Sequence, residues 1–506
     1  MTSTYDLIVI GTGSAGAAAA QLCRQEGWEV AIIDEREYGG TCALRGCDPK
    51  KVLVGAADLV ERTARMRGKG MDVTAMIDWS DLMAFKRTFT EPMPEAHEQK
   101  LQEAGIHTLH GQAHFTGKQT IELNGQQLTG RYILIATGAE PAPLSIPGEE
   151  HMTNSDGFLG LEHLPEQIVF VGGGYISFEF AHIAARAGAK VHILHSSDRP
   201  LKGFDPEQVD ALVEQSRQAG IQIHLNVELE SIELLHPDSE TGGAIVTASS
   251  LAPIAQPNQP LYRIHARYKQ ADNEHADASA QSPSSASATS ESITNESSEL
   301  LHIECGLIVH GAGRRPNIHR LELEQGNVES QKKGITVNEY LQSVSNPQVY
   351  AAGDCAASPG LPLTPIAGLE GKIAANNMLH GPSQKAEYTE IPSVAFTMPR
   401  LATVGLSEQD ARKRGDEVSI KTYDMSSWYT YKRTGGEKAL AKIILDKQKR
   451  TVLGAHLLSG EADELINHFA VAIRLGLTVD QLKSVIYAYP TAASDISYML
   501  NLDDEE

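Results

Sequence analysis

Tyr5-Asp-Leu-Ile-Val-Ile-Gly11-Thr-Gly13-Ser-Ala-Gly16 is a short apolar run that ends in glycines, the pattern of a buried parallel strand turning into a helix. Small residues carry that helix to Gly27, and Glu29-Val-Ala-Ile-Ile-Asp34 supplies a second strand. The glycines permit a tight turn, close approach of backbone to a pyrophosphate, and close packing of helix on strand. The helix N-terminus favours phosphate charge. Asp34 stands 18 residues beyond Gly16, at the strand end where an acid binds a ribose hydroxyl. Gly11, Gly13, Ser14, Gly16 and Asp34 are therefore expected to hold a dinucleotide.

The same unit recurs at Gln167-Ile-Val-Phe-Val-Gly172-Gly-Gly174-Tyr-Ile176-Ser177, through a helix to Gly188 and a strand at Lys190-Val-His-Ile-Leu194. Two such units predict an α/β protein with two doubly wound dinucleotide-binding domains. After the second unit come His195, Ser196, Ser197, Arg199 and Lys202, with no carboxylate where one would accept from a ribose 2′-hydroxyl. Hydroxyl and basic groups there suit a 2′-phosphate. Gly172, Gly174, Ile176, His195, Ser196, Arg199 and Lys202 are thus read as an NADPH site, with NADH left open.

Outward from these units, a helical stretch spans about 49–105, and Asn124-Gly125 marks a hairpin. Pro141, Pro143 and Pro147 mark a linker, and a segment from about Ile391 mixes strands with the amphipathic helix Glu461 to Leu475. The expected organisation is residues 1–150 and 316–388 as one split nucleotide domain, 151–315 as the second, and 389–506 as an α+β domain. Between Ala278 and Ser298, nine of 21 residues are Ser. We read about 237–298 as a disordered insertion within a sheet, because such composition buries too little apolar area to offset chain entropy. A strand pattern resumes at Leu300-Leu-His-Ile303.

The chain has 506 residues and a formal charge of −22, which disfavours nucleic acid and anionic membrane as partners. Five cysteines, Cys23, Cys42, Cys47, Cys305 and Cys355, are too few and too odd in number for a disulfide-stapled secreted scaffold. No run approaches the roughly 18 apolar residues of a membrane span, and no signal-peptide pattern opens the chain. The sequence reads as soluble and cytoplasmic.

The chemistry is concentrated in Gly39-Gly40-Thr41-Cys42-Ala-Leu-Arg-Gly-Cys47-Asp-Pro-Lys50-Lys51. Two cysteines five apart could be structural thiols or half of a zinc site, but no partner CxxC or HxxxH supplies the other ligands; no metal is expected. Their place directly after the first nucleotide unit suggests a redox pair. The pattern resembles the GGTCxxxxGCxPxK marker of the flavoprotein disulfide reductases, the class I pyridine nucleotide-disulfide oxidoreductases that include glutathione reductase and dihydrolipoamide dehydrogenase. Ile133-Leu-Ile-Ala-Thr137-Gly138, Gly313-Arg314-Arg-Pro-Asn317 and Tyr350-Ala-Ala-Gly-Asp354 match further motifs of that family. Ile391-Pro-Ser-Val-Ala-Phe396 and Thr403-Val-Gly-Leu406 open a region similar to its dimerisation domain.

The resemblance implies a homodimeric FAD-dependent enzyme. FAD would lie on the first fingerprint with Gly40, Thr41, Thr137, Gly138, Gly313, Arg314, Thr364 and Ala367, and Asp354 would bind its ribityl chain. Lys50 would sit near the flavin N5, paired with Glu179, and Tyr175 would cover the nicotinamide side. Hydride would pass from NADPH to FAD, then to the Cys42–Cys47 disulfide, then to a small disulfide such as glutathione disulfide. Cys47 would be the flavin-side thiolate and Cys42 the interchange thiol. Both steps need thiolates, so the site must lower a thiol pKa of ~8.5. Cys23, Cys305 and Cys355 read as packing residues.

One family feature is missing. The His-Pro-Thr-x-x-Glu acid–base motif, contributed across the dimer, aligns with Tyr489-Pro-Thr-Ala-Ala-Ser494-Asp495. Tyr489 replaces the histidine, Ser494 the glutamate, and Asp495 comes one residue late, about 100° round a helix. A phenol of pKa ~10 is a poor base, although Tyr489 could still donate a hydrogen bond or a proton. Residues that bind glutathione in the family align with Gln21, His97 and Lys372. Mercuric reductase adds a C-terminal cysteine pair, whereas no cysteine follows Cys355 here. Two other functions are compatible with the motifs: an NAD(P)H:quinone reductase, and a flavin-bound redox sensor.

Overall fold

The computed structural model describes residues 3–235, 260–269 and 299–501. Strand β1, Ser3–Ile10, lies between β2, Val30–Asp34, and the strand Gln126–Ile135, all parallel. Leu7, Ile8 and Val9 are fully buried, as expected of a parallel sheet covered on both faces. Helix α1, Ser14–Gln25, packs its small residues Ala15, Ala19, Ala20 and Cys23 into the core on one face, together with Ile373 and Ala374 of the helix Thr364–His380. A second parallel sheet has the order Ile221–His224, Lys190–Leu194, Gln167–Val171, Leu307–His310. The two doubly wound sheets of the sequence reading are both present.

Helix α2, Gly40–Arg45, and helix α3, Cys47–Arg65, are separated by Gly46 alone. Asp48 in the first turn of α3 and Arg62 and Arg65 in its last turn complement the helix dipole. Leu53, Val54 and Ala57 of α3 are buried with Phe158, Phe170 and Phe178 of the second nucleotide unit, each phenylalanine contributing about 1.5–3 kcal/mol by its burial. The redox segment is thereby anchored across both nucleotide units. The ribbon Ala139–Pro141 against Arg314–Pro316 carries both chain crossings between them.

At Asn124-Gly125 both residues have positive φ, 51° and 80°, and the flanking strands pair as a hairpin. The expected 237–298 insertion needs correction in part. Leu261–Tyr268 is a strand, paired with Val227–Leu235 on one side and Leu300–Cys305 on the other. Tyr262, Ile264 and Ala266 alternate inward against this sheet's core, a period-2 signal that the surrounding polar composition masks. Residues 237–259 and 270–298 lie outside the described residues. The C-terminal segment is a five-stranded antiparallel sheet carrying the helix Ala462–Leu475. Buried Lys442 of that sheet meets Asp205 of the second nucleotide unit at 2.8 Å. Arg400 meets Asp58 of α3 at 3.5 Å. Among the described residues no helix is long and apolar enough to cross a membrane.

The first glycine loop shows two different tolerances. A β-carbon on Gly16 would stand 1.9 Å from the Gly11 carbonyl oxygen, whereas one on Gly13 would meet only the Gly40 Cα, at 4.0 Å. Gly16→Ala is expected to lower the thermal unfolding temperature markedly and Gly13→Ala hardly at all. Calorimetry of the two variants checks this, and equal shifts would contradict it.

Candidate active site

A cleft of about 390 Å³ runs along the carboxyl ends of the first parallel sheet, the place where doubly wound folds bind ligands. The first fingerprint forms its floor through Gly11, Gly13 and Ser14, with Asp34 at the strand end and Thr137 and Gly138 on the adjoining strand end. Gly16 lies behind the loop, packed on the Gly11 carbonyl. Asp34 accepts from the Thr12 backbone N–H at 2.8 Å and the Thr12 hydroxyl at 2.6 Å, clamping the loop. Gly40, Thr41, Cys42, Cys47 and Lys50 line the cleft from α2 and α3. Tyr175, Ile176 and Glu179 enter it from the helix Tyr175–Arg186. Gly313, Arg314, Asp354, Thr364 and Ala367 complete it.

Cys42 is half-buried, Cys47 is exposed, and both are free thiols. The hydroxyl of Thr364 lies 3.5 Å from the Cys47 sulfur. Hydrogen bonding from Cys42, then from Thr364, with the Lys50 charge nearby, brings the Cys47 thiol down to about 6. The Cys42 thiol is pushed up, because it gives its hydrogen bond to Cys47 and is itself part-buried. Of the two, Cys47 carries the negative charge at neutral pH. The other three thiols are buried; burial pushes Cys23 and Cys305 up to about 12 and Cys355 up to about 11, in line with packing roles.

Lys50 Nζ donates to Glu179 Oε1 at 2.9 Å, and both residues are buried. The same oxygen accepts the Phe396 backbone N–H at 2.8 Å. The Phe396 ring lies under both Lys50 and Lys51, at 4.3 and 3.8 Å from their ammonium nitrogens. Asp354 has its carboxyl raised by burial, with Arg314 acting to lower it. Glu370, 1% exposed, supports the loop before Asp354. It accepts from the Gly353 N–H at 2.7 Å, from Ser358 Oγ at 2.5 Å and from the Tyr388 hydroxyl at 2.7 Å. The sequence reading missed Phe396 and Glu370 as support; the one signal was an acid on an otherwise apolar helix face.

The second fingerprint forms a separate group. Gly172, Gly174, His195, Ser196, Arg199 and Lys202 do not line the cleft. The Gly173 N–H donates to His195 Nδ1 at 3.0 Å, and His195 Nε2 lies 3.0 Å from the Arg199 carbonyl oxygen. A ring whose Nδ1 accepts must carry its proton on Nε2. Burial lowers the His195 pKa, so the imidazole is neutral. His195 therefore does for this loop what Asp34 does for the first, and its ring is engaged with protein rather than open to a ligand. Arg199 Nε is buried without a hydrogen-bond partner. Tyr489 is 79% exposed and stands outside its own chain's cleft. Asp495 is buried in the C-terminal domain, its carboxyl raised by that burial.

Two nucleotide domains meeting at a cysteine pair define a flavoprotein-type oxidoreductase. The chain belongs to the pyridine nucleotide-disulphide oxidoreductase family: that family's model matches residues 5–247 and 267–371, and its dimerisation-domain model matches 391–500. It is 30% identical over 499 residues to a glutathione reductase of Burkholderia cepacia, covering 98% of each chain. It is 29% identical over 501 residues to a mercuric reductase of Staphylococcus aureus, covering 97% of this chain and 81% of that one. Another relative, an uncharacterized 19.7 kDa protein in a mercuric resistance operon of Staphylococcus aureus, is 54% identical over 180 residues, all of its length and 36% of this chain. The enzyme is an NAD(P)H-dependent disulfide oxidoreductase, and membership implies FAD and a pyridine nucleotide as cofactors.

The asymmetry of the two thiols is measurable. In the reduced protein, iodoacetamide labelling of Cys47 should rise through a midpoint near pH 6, with Cys42 following only at alkaline pH. Thr364→Val should raise the Cys47 midpoint by removing a donor to the thiolate. Peptide mass spectrometry across pH checks this, and one shared midpoint near ~8.5 would contradict it.

Proposed function

We propose that the chain reduces a small-molecule disulfide with electrons from NADPH, using FAD in the cleft and the Cys42–Cys47 pair as the final donor. The observation that carries this reading is the convergence of the cysteine pair, the Lys50–Glu179 pair and the first glycine loop on one cleft. The residues present fit FAD: space is open in front of Gly13, and Thr137 Oγ1 is buried without a partner. When bound there, FAD supplies a two-electron relay between a nicotinamide and a disulfide.

The protein's own residues have distinct tasks. Asp34 retains acceptor capacity for a ribose hydroxyl beside its bonds to Thr12, and Asp354 is assigned to the ribityl chain. Lys50 directs positive charge into the cleft while Glu179 fixes its position. Ser196, Arg199 and Lys202, with no acid in the ribose-binding position, favour a 2′-phosphate and hence NADPH.

In disulfide exchange, Cys42 sulfur attacks the substrate S–S bond, forms a mixed disulfide and expels one thiolate. Cys47 thiolate then attacks Cys42, re-forming the Cys42–Cys47 disulfide and releasing the second thiolate. The proton that Cys42 must lose has an acceptor in the neighbouring Cys47. Cys47 passes the proton it took from Cys42 to the first departing thiolate, which returns Cys47 to the thiolate for its attack on Cys42. The second departing thiolate takes its proton ultimately from solvent. Tyr489, displayed on the dimerisation domain, is assigned to donating a hydrogen bond or proton to such a thiolate from a second copy of the chain.

Cys42→Ser should abolish NADPH-driven turnover of a panel of small disulfides while leaving NADPH oxidation by a quinone measurable. Disulfide turnover that survives in this variant would overturn the proposal.

A further inference from the structure

We propose that Lys269 is a specificity-determining residue of the pyridine nucleotide site, its ammonium joining Arg199 and Lys202 around the 2′-phosphate of NADPH. The inference rests on the NADPH reading given above.

The placement follows from backbone bonds. The Val227 N–H donates to the His195 carbonyl at 2.9 Å, and the Asn226 N–H to the Ser197 carbonyl at 3.1 Å. The Lys269 N–H in turn donates to the Asn226 carbonyl at 2.7 Å. This bonded series delivers the end of the strand Leu261–Tyr268 to the crevice at the carboxyl ends of the second parallel sheet, beside Ser196 and Ser197. The side chains agree: after burial and the Arg199 carbonyl, the charges that His195 feels are those of Lys202, Asp198 and Lys269.

Charge accounting points the same way. In a chain of net charge −22, the buried cations among the described residues are all engaged: Lys50, Arg400 and Lys442 by carboxylates and Lys86 by the Leu159 carbonyl. Among the described residues, Arg199, Lys202 and Lys269 form no ion pair, and Arg199 Nε is an unused buried donor. Asp198 is the one acid within the loop from His195 to Lys202. His195 is neutral and occupied by the glycine loop, so it cannot supply the positive charge that a phosphate dianion needs. Lys269 can, and its side chain is exposed. Lys269 lies 67 residues beyond Lys202 in the chain, which is why a local reading of the fingerprint does not find it.

The test is the ratio of kcat/KM for NADPH to that for NADH, measured on the flavin-loaded enzyme with one small disulfide. Lys269→Ala should lower this ratio about tenfold, chiefly through KM for NADPH, as loss of one charge-assisted contact predicts. Lys269→Arg should restore most of it, and added salt should narrow the difference between wild type and Lys269→Ala. An unchanged ratio in Lys269→Ala, against a wild type that prefers NADPH, would overturn the role of Lys269 alone. A wild type that prefers NADH would overturn the NADPH reading and this inference with it.

Discussion

The Lys50–Glu179 ion pair is the interaction on which the cleft depends. A carboxylate as buried as Glu179, 2% exposed, is tolerable only with full compensation, and here one oxygen takes both the Lys50 ammonium and the Phe396 N–H. Those three groups come from α3, from the helix of the second nucleotide unit and from the C-terminal domain. The pair is therefore satisfied only when all three parts of the chain are docked. Removing either partner would leave a buried charge at a cost of about 3–5 kcal/mol. The same contact sets the direction of Lys50, three residues along α3 from Cys47.

From that anchor the electrostatics of the cysteine pair follow. Lys50 and Thr364 both favour charge on Cys47, and Cys42 gives it a hydrogen bond. The negative charge is thus favoured on Cys47, and the proton is retained on Cys42. An enzyme with an imidazole base could remove that proton externally. Here the aligned position is a tyrosine, and in the proposed mechanism Cys47 is the group that takes that proton.

The nucleotide folds and the cysteine pair were legible in the sequence because each is encoded in one short stretch, where glycine spacing and strand patterning coincide. Asp34 was found for the same reason. Glu370 and Phe396 were not, since their roles arise from contacts with Gly353, Tyr388 and Glu179, as far as 217 residues apart along the chain. The strand Leu261–Tyr268 was lost in a polar region too long for its alternation to stand out. His195 stands in the sequence where an acid would, but only its hydrogen bond to Gly173 shows what it does there.

The two glycine loops are held by different chemistry for the same purpose. Asp34 and His195 each accept an N–H from the middle of the loop, one as a carboxylate and the other as a neutral ring. The loop requires an acceptor, not a negative charge. Loop geometry and the sign of the ribose-end field are therefore separable variables in this fold. A change of coenzyme preference can proceed through the residues around His195 while the phosphate-binding turn keeps its shape.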